Sequence, residues 1–308
     1  MLSRRCFLQG VALAATSVSF RAEGGAQVRP LRLGGPIFVK SDDPAELAQA
    51  HLDLGYRAAY APPVKLEDTD KIEAIVREFS ARDVVIAEVG AWVNLLDSDP
   101  DTRKRNLEFV TNKLAIAEAL GARCCVDIAG SYNPEVWSGP HPDNFSRRFF
   151  EETVENCRKI IDAVNPKRTK FSLEMMGWCL PSTADQYLEL IRAINREAFG
   201  VHIDICNMIN SPERIYNSSD LIRECFQKLG KWALSCHAKD VAWVPEMQVH
   251  FKEVVPGQGE VDYATYLSEL SRLDNDVPLM MEHLSSAEEY RQGAAYIRSV
   301  ARQTGIPT

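Results

Sequence analysis

Four short apolar stretches each carry one residue able to hold a metal ion. Glu174 lies in Ser172-Leu173-Glu174-Met175-Met176, Asp204 in His202-Ile203-Asp204-Ile205, His237 in Ser235-Cys236-His237-Ala238, and Glu282 in Met280-Met281-Glu282-His283. On a strand, successive side chains alternate, so each polar residue points one way while Leu173, Ile203 and Met281 point the other. A carboxylate or imidazole among apolar neighbours is costly to desolvate unless it is paired or bound to a cation. One such residue reads equally well as a polar side chain hydrogen-bonded at a rim, but four on successive strand-like runs read as a metal site. Three carboxylates and one imidazole form a mostly hard donor set for one divalent metal, Mn²⁺ first, with Mg²⁺, Co²⁺ or Zn²⁺ as substitutes.

The elements that must position these residues are legible as an alternation. Apolar, β-branched runs at 31–38, 57–61, 84–89, 124–129, 171–176, 201–206, 233–238 and 279–283 have the length of buried parallel strands. Between them lie stretches of helical period; in the third, Leu107, Val110, Leu114 and Ala117 fall on one stripe. Asp43 with Glu46, Thr183 with Gln186 and Ser285 with Glu288 have the spacing of capping boxes. Eight β-then-α units predict an α/β fold, a single-domain (β/α)8 TIM barrel over residues 30–305. An open doubly wound sheet would carry a glycine-rich first turn, and Gly34-Gly35-Pro36 lacks that spacing. The longest connections follow strands four, six and seven, on the side where barrel active sites are built.

On these residues and the loop Pro256 to Tyr263, reading PGQGEVDY, the chain resembles the xylose isomerase-like barrel superfamily, and within it the sugar phosphate isomerase/epimerase group, over nearly all of the expected mature region. The resemblance implies that Glu174 and Glu282 both bind the metal and act as a catalytic acid/base pair, one removing a proton beside a carbonyl and the other returning it. Metal polarisation of that carbonyl and a metal-stabilised enediolate make such a proton removable. Return to the other face gives epimerisation, return to the next carbon isomerisation, and loss of a β-substituent elimination. Ketose 3-epimerases of the group usually carry a His where this chain has Asn207, and often an Arg soon after the metal His. Here Ala238-Lys239-Asp240 is closer to the inosose dehydratase pattern, so a lyase or dehydratase acting on a keto-sugar, 3-keto-glycoside or cyclitol is the alternative. A third reading is a non-catalytic exported sugar-binding protein.

Further substrate contacts are expected from Asn207, Lys239, Trp178, His141 and Glu88. Lys239 shares the face of His237 but reads equally well as a rim salt bridge with Asp240. Trp92, Asn94 and Trp137 are weaker candidates, and tryptophans at a mouth serve as lid packing as often as sugar platforms. His202 sits one layer deeper, as a satisfied core histidine. His250, Lys252 and Glu260 belong to a loop that reads as a lid or as exposed charge. Gly257 and Gly259 are the only glycine donors placed for a phosphate, so a free carbohydrate is the expected small-molecule substrate.

A formal net charge of -8 opposes a nucleic-acid partner, whose binding needs a basic face. Ser3-Arg4-Arg5-Cys6-Phe7-Leu8 and the apolar run Val11 to Val18 predict a twin-arginine-type signal segment over residues 1–26, periplasmic or secreted location, and no membrane anchor in the mature chain. Seven further cysteines lack a disulfide framework's spacing and read as buried thiols. A homo-oligomer is left open.

Overall fold

Where the apolar runs meet, each forms a parallel strand, and the eight strands close on themselves. In the computed structural model, which describes residues 28–308, the barrel strands are β1 (Leu33–Gly34), β2 (Ala58–Tyr60), β3 (Val85–Gly90), β4 (Cys124–Asp127), β5 (Lys170–Glu174), β6 (Phe199–Ile203), β7 (Ala233–Ala238) and β10 (Leu279–Met281). Their order around the barrel is β1-β10-β7-β6-β5-β4-β3-β2. The signal segment expected over residues 1–26 lies outside the described residues. Among those described, no helix is long and apolar enough to cross a membrane.

The expected alternation holds. Leu173, Ile203, Cys236 and Met281 enter the hydrophobic core between sheet and helices, while Glu174, Asp204 and His237 take the other side. The third helix, Pro100–Leu120, buries Val110, Leu114 and Ala117, with Leu107 packed at the edge of the same core. All seven cysteines in the described region are buried free thiols.

Several local expectations shift. The first strand is two residues long, since Pro36 lacks the N–H to continue the ladder; within it Gly34 packs so tightly that a Cβ there would stand 2.5 Å from Ala58 O and Met280 Sδ. The sixth strand stops at Ile203, since Asp204 turns the chain by accepting the Asn207 amide and starts a short helix, Ile205–Met208. The last helix is capped by Ser286 with Glu289, one residue later than Ser285 with Glu288, and Glu289 reaches back to the Ser285 amide. Thr183 caps as expected, but the Gln186 side chain returns to Ser182, and Glu46 takes the Ser41 hydroxyl instead of closing a box on Asp43.

The long connection after β7 is an ordered hairpin. Strands β8 (Asp240–Trp243) and β9 (Phe251–Val254) pair antiparallel, with Val241 opposite Glu253 and Trp243 opposite Phe251. Its base is fixed by Asp240, 1% exposed, whose carboxylate accepts four backbone N–H groups: Val241 at 2.9 Å, Gly257 at 2.9 Å, Gly259 at 3.0 Å and Val261 at 3.1 Å. The PGQGEVDY loop is thus wrapped around one of the chain's own anions.

Candidate metal centre

Glu174 ends β5, Asp204 follows β6, His237 lies in β7 and Glu282 follows β10. In the barrel order β10, β7, β6 and β5 are neighbours, so the four side chains meet on one half of the C-terminal mouth. One ligand atom from each lies within 4.8 Å of all the others. His237 Nδ1 is 2.7 Å from Glu282 Oε1, 2.8 Å from Glu174 Oε1 and 3.5 Å from Asp204 Oδ2.

Such crowding fits a cation. A ring nitrogen carries at most one proton, so it can donate to only one of three carboxylates. Asp204 Oδ2 and Glu282 Oε1 are buried without a hydrogen-bonding partner. The only ammonium in the cluster is Lys239, 4% exposed, with Nζ 2.8 Å from Asp204 Oδ2 and 2.5 Å from Glu282 Oε1, close enough for charge but not directed as a hydrogen bond. Burial opposes the Lys239 charge, yet Asp204, Glu174, Glu282 and Glu253 outweigh it and hold its pKa above the ordinary lysine value. Three carboxylates, two of them buried, around one ammonium and one imidazole leave negative charge that a divalent ion would match.

The two glutamates are not equivalent. Burial pushes the Glu174 carboxyl up despite the opposing pull of His237 and Lys239. For Glu282 burial also pushes upward, but His237 and Lys239 prevail and hold it below the usual carboxylate range.

The other expected residues divide. Asn207 lies against Glu174, its side-chain amide donating to Glu174 Oε1 at 3.4 Å and Met175 O at 2.9 Å. Lys239 is inside the cluster instead of bridging to Asp240, whose oxygens are filled by backbone. Glu88, expected to touch substrate, is 1% exposed and lies behind His237, accepting from His202 Nε2 at 3.0 Å, from the Ser235 hydroxyl and facing His237 Nε2 at 3.3 Å. Burial opposes its charge, but His202 and His237 hold Glu88 well below the usual carboxylate range. His202 is fully buried as expected, although its Nδ1 has no partner. His141 is drawn away from the cluster into its own loop: Nδ1 accepts the Asp143 amide and the ring meets Tyr132 edge-on. Asn94 is consumed joining its loop to Ser131. Trp178 and Trp137 stand exposed on the mouth loops, and Trp92 lies 6.4 Å from the His237 ring.

Sequence reasoning missed Ser235, Glu253 and His283. Ser235 is two residues before His237, so strand alternation pointed to it. Glu253 on β9 reaches back over the cluster, 3.9 Å from Lys239 Nζ and 3.0 Å from His283 Nδ1, while His283 adopts a left-handed backbone, φ 59°. No local pattern announces a contact made across 30 residues. A separate cavity of about 730 Å³ opens at the opposite end of the barrel, lined by Arg123, Lys170 and Asp276 among others, and shares no residue with the cluster.

A family model for the xylose isomerase-like TIM barrel matches residues 48–300. Comparison with curated proteins by sequence finds no match. Among solved structures, a xylose isomerase domain protein from Planctomyces limnophilus superposes with a TM-score of 0.63 at 16% identity, covering 90% of this chain and 99% of its own. The 3-keto-D-glucoside 4-epimerase from E. coli gives 0.61 at 12% identity, with 87% and 99% covered. Endonuclease IV from Thermus thermophilus gives 0.65 at 14% identity, with 89% and 100% covered. At these identities the likeness is one of fold, and that fold serves different reactions.

Proposed function

This chain belongs to the xylose isomerase-like TIM barrel family, and from that premise we propose that it is a divalent-metal-dependent isomerase or epimerase of a non-phosphorylated sugar or keto-sugar. The observation that carries the reading is the approach of Glu282 and Glu174 to one imidazole nitrogen, at 2.7 and 2.8 Å, from strands that flank Asp204 and His237. A divalent ion held by Glu174, Asp204, His237 and Glu282, Mn²⁺ first and Mg²⁺, Co²⁺ or Zn²⁺ as substitutes, supplies Lewis-acid polarisation of a substrate carbonyl.

The chain's own groups then divide the proton work. Glu174 and Glu282, which approach His237 from the two ends of the four-strand arc, are the pair that removes the proton and returns it. Asn207 fixes the Glu174 carboxylate from the side. Return of the proton to the opposite face is epimerisation, and to the adjacent carbon isomerisation. The unphosphorylated substrate is supported by Gly257 and Gly259, whose N–H groups are bound to Asp240 and so are not free to cradle a phosphate.

Lys239 favours a second reading. An ammonium between Asp204 and Glu282 can hold the oxygen of a departing hydroxyl, which would make the same proton removal the first half of an elimination on a keto-sugar, 3-keto-glycoside or cyclitol. Export by a twin-arginine signal, carried by Arg4 and Arg5, belongs to the same proposal and is checked by cell fractionation.

The test is NMR in deuterated water with Mn²⁺-loaded protein and a panel of sugars, keto-sugars, 3-keto-glycosides and cyclitols. Deuterium should enter at a carbon beside a carbonyl, and Glu174→Gln and Glu282→Gln should each slow its entry about 10²- to 10⁴-fold. Turnover with no exchange at any carbon would sink the proton-transfer reading. An unsaturated, ultraviolet-absorbing product would select elimination, and binding without turnover a sugar-binding protein.

A further inference from the structure

Large aromatic side chains recur along one side of the barrel mouth. Of the five tryptophans, Trp92, Trp137, Trp178 and Trp243 lie on connections at the C-terminal mouth, and Trp232 immediately precedes β7 at the other end. Trp92 follows β3, Trp137 follows β4, Trp178 follows β5, Tyr216 follows β6 and Trp243 follows β7. These five strands are successive neighbours in the barrel, so the mouth carries one large ring per strand along more than half of its circumference. Trp137, Trp178 and Tyr216 are 46%, 57% and 69% exposed, far from the burial expected of lid packing.

The arc is held in place. Asn144, fully buried, donates to Gly139 O at 3.1 Å and Trp178 O at 3.0 Å and accepts the Tyr132 amide at 3.0 Å, which locks the Trp137 and Trp178 loops into one wall. On the other side Tyr216, Trp243 and Phe251 form a cluster with ring separations of 5.3 and 4.8 Å. Trp243 and Phe251 share a hairpin face with Val241 and Glu253, because residues two apart on a strand point the same way. Glu253 reaches Lys239 and His283, so that face is the one turned toward the metal centre.

We infer that this arc is an extended binding site for a neutral oligosaccharide, whose terminal ring reaches the metal centre while further rings lie on Trp178, Trp137 and the Tyr216–Trp243 wall. Indole and phenol faces stack on the apolar C–H faces of sugar rings while hydroxyls stay in water. At the inner end Trp92 stands 6.4 Å from the His237 ring. Glu253 and Glu282 at its inner end, with the chain's net charge of -8, favour an uncharged ligand over an anionic one. The inference deepens the proposed function by assigning a substrate class larger than one sugar ring, and rests on that reading only for the chemistry at the inner end.

Binding of glucose and of cello-, malto- and laminari-oligosaccharides of increasing length to the full chain, followed by tryptophan fluorescence and calorimetry, tests it. In at least one series each added ring should tighten binding about twofold to tenfold, the size of one aromatic contact. Trp178→Ala and Tyr216→Ala should remove those increments while leaving Mn²⁺ affinity and the melting temperature unchanged. Affinity independent of length in all three series would overturn the inference. So would a wild-type oligomer that Trp178→Ala converts to monomers, since the arc would then face a second copy of the chain. Length-dependent binding retained by Glu174→Gln supports the arc even if no proton exchange is found, whereas exchange on monosaccharides without length dependence overturns the arc alone.

Discussion

Glu88 Oε2 lies 3.3 Å from His237 Nε2, on the opposite edge of the ring from the Nδ1 that faces Glu174, Asp204 and Glu282. A carboxylate at Nε2 keeps the ring proton there and leaves the Nδ1 lone pair for a cation. Glu88 is itself held by His202 and Ser235, so the imidazole is oriented from behind by a network with no freedom to turn. Glu88→Gln should weaken Mn²⁺ binding by about tenfold to a hundredfold in calorimetry. Unchanged affinity would mean that packing alone orients His237.

Lys239 serves as the resident counter-charge for Asp204 and Glu282. Removing one partner from a buried ion pair destabilises a fold by about 3–5 kcal/mol, because the charge left behind has no compensation. Lys239→Met should therefore lower stability in urea by that order when metal is withheld. Mn²⁺ at a hundred times its dissociation constant should return about 2.7 kcal/mol, since the ion binds only the folded state. A metal-free variant as stable as the wild type would show that the ammonium is not what balances these carboxylates.

How far the sequence could be read follows from the range of each interaction. Strand alternation is a two-residue rule, so it placed Glu174, Asp204 and His237 on one side and Leu173, Ile203 and Met281 on the other. The same rule puts Lys239 on the face of His237 and leaves a substrate oxygen and Asp240 as its possible partners; the fold removes the second by filling Asp240 with four backbone amides. Glu88 was expected at the rim and lies below it; how far a side chain reaches down a barrel is set by register with strands that sequence alone does not align. The hairpin β8–β9 is not legible in the sequence, because Lys252 and Glu253 interrupt the apolar pattern of its second strand.

The Asp240 knot makes a structural prediction away from the chemistry. A Cβ on Gly259 would stand 2.2 Å from Asp240 Oδ1 and 2.5 Å from Val241 O, and the second of these is backbone that cannot swing aside. Gly259→Ala and Asp240→Ala should therefore open the same segment, the first by steric conflict and the second by stranding amides that each lose about 1–3 kcal/mol when left buried without an acceptor. Hydrogen exchange should show the Gly257, Gly259 and Val261 amides losing protection in Asp240→Ala while those of β5 and β6 keep theirs. Loss of protection throughout the barrel would mean that the knot holds the whole fold instead of the hairpin base.

His51 should give the protein an acid-sensitive window unrelated to the metal centre. It is 3% exposed between Tyr56 and Phe79, its Nδ1 has no partner, and burial lowers its pKa to about 4. The folded chain therefore keeps the ring neutral, while the unfolded chain protonates it near the ordinary value of 6.5. As pH falls, the unfolded state takes up the proton first, so stability from this group is complete above pH 6.5 and is lost progressively down to about pH 4. The full loss is on the order of 3 kcal/mol. Urea unfolding across that window should fall less steeply with acid in His51→Phe than in the wild type. Carboxylates held low by ion pairs, such as Glu152 beside Arg148 and Arg103, weaken both proteins alike, so the difference between the two curves isolates the imidazole. Equal slopes would show that His51 keeps access to water through Nδ1 despite its enclosure.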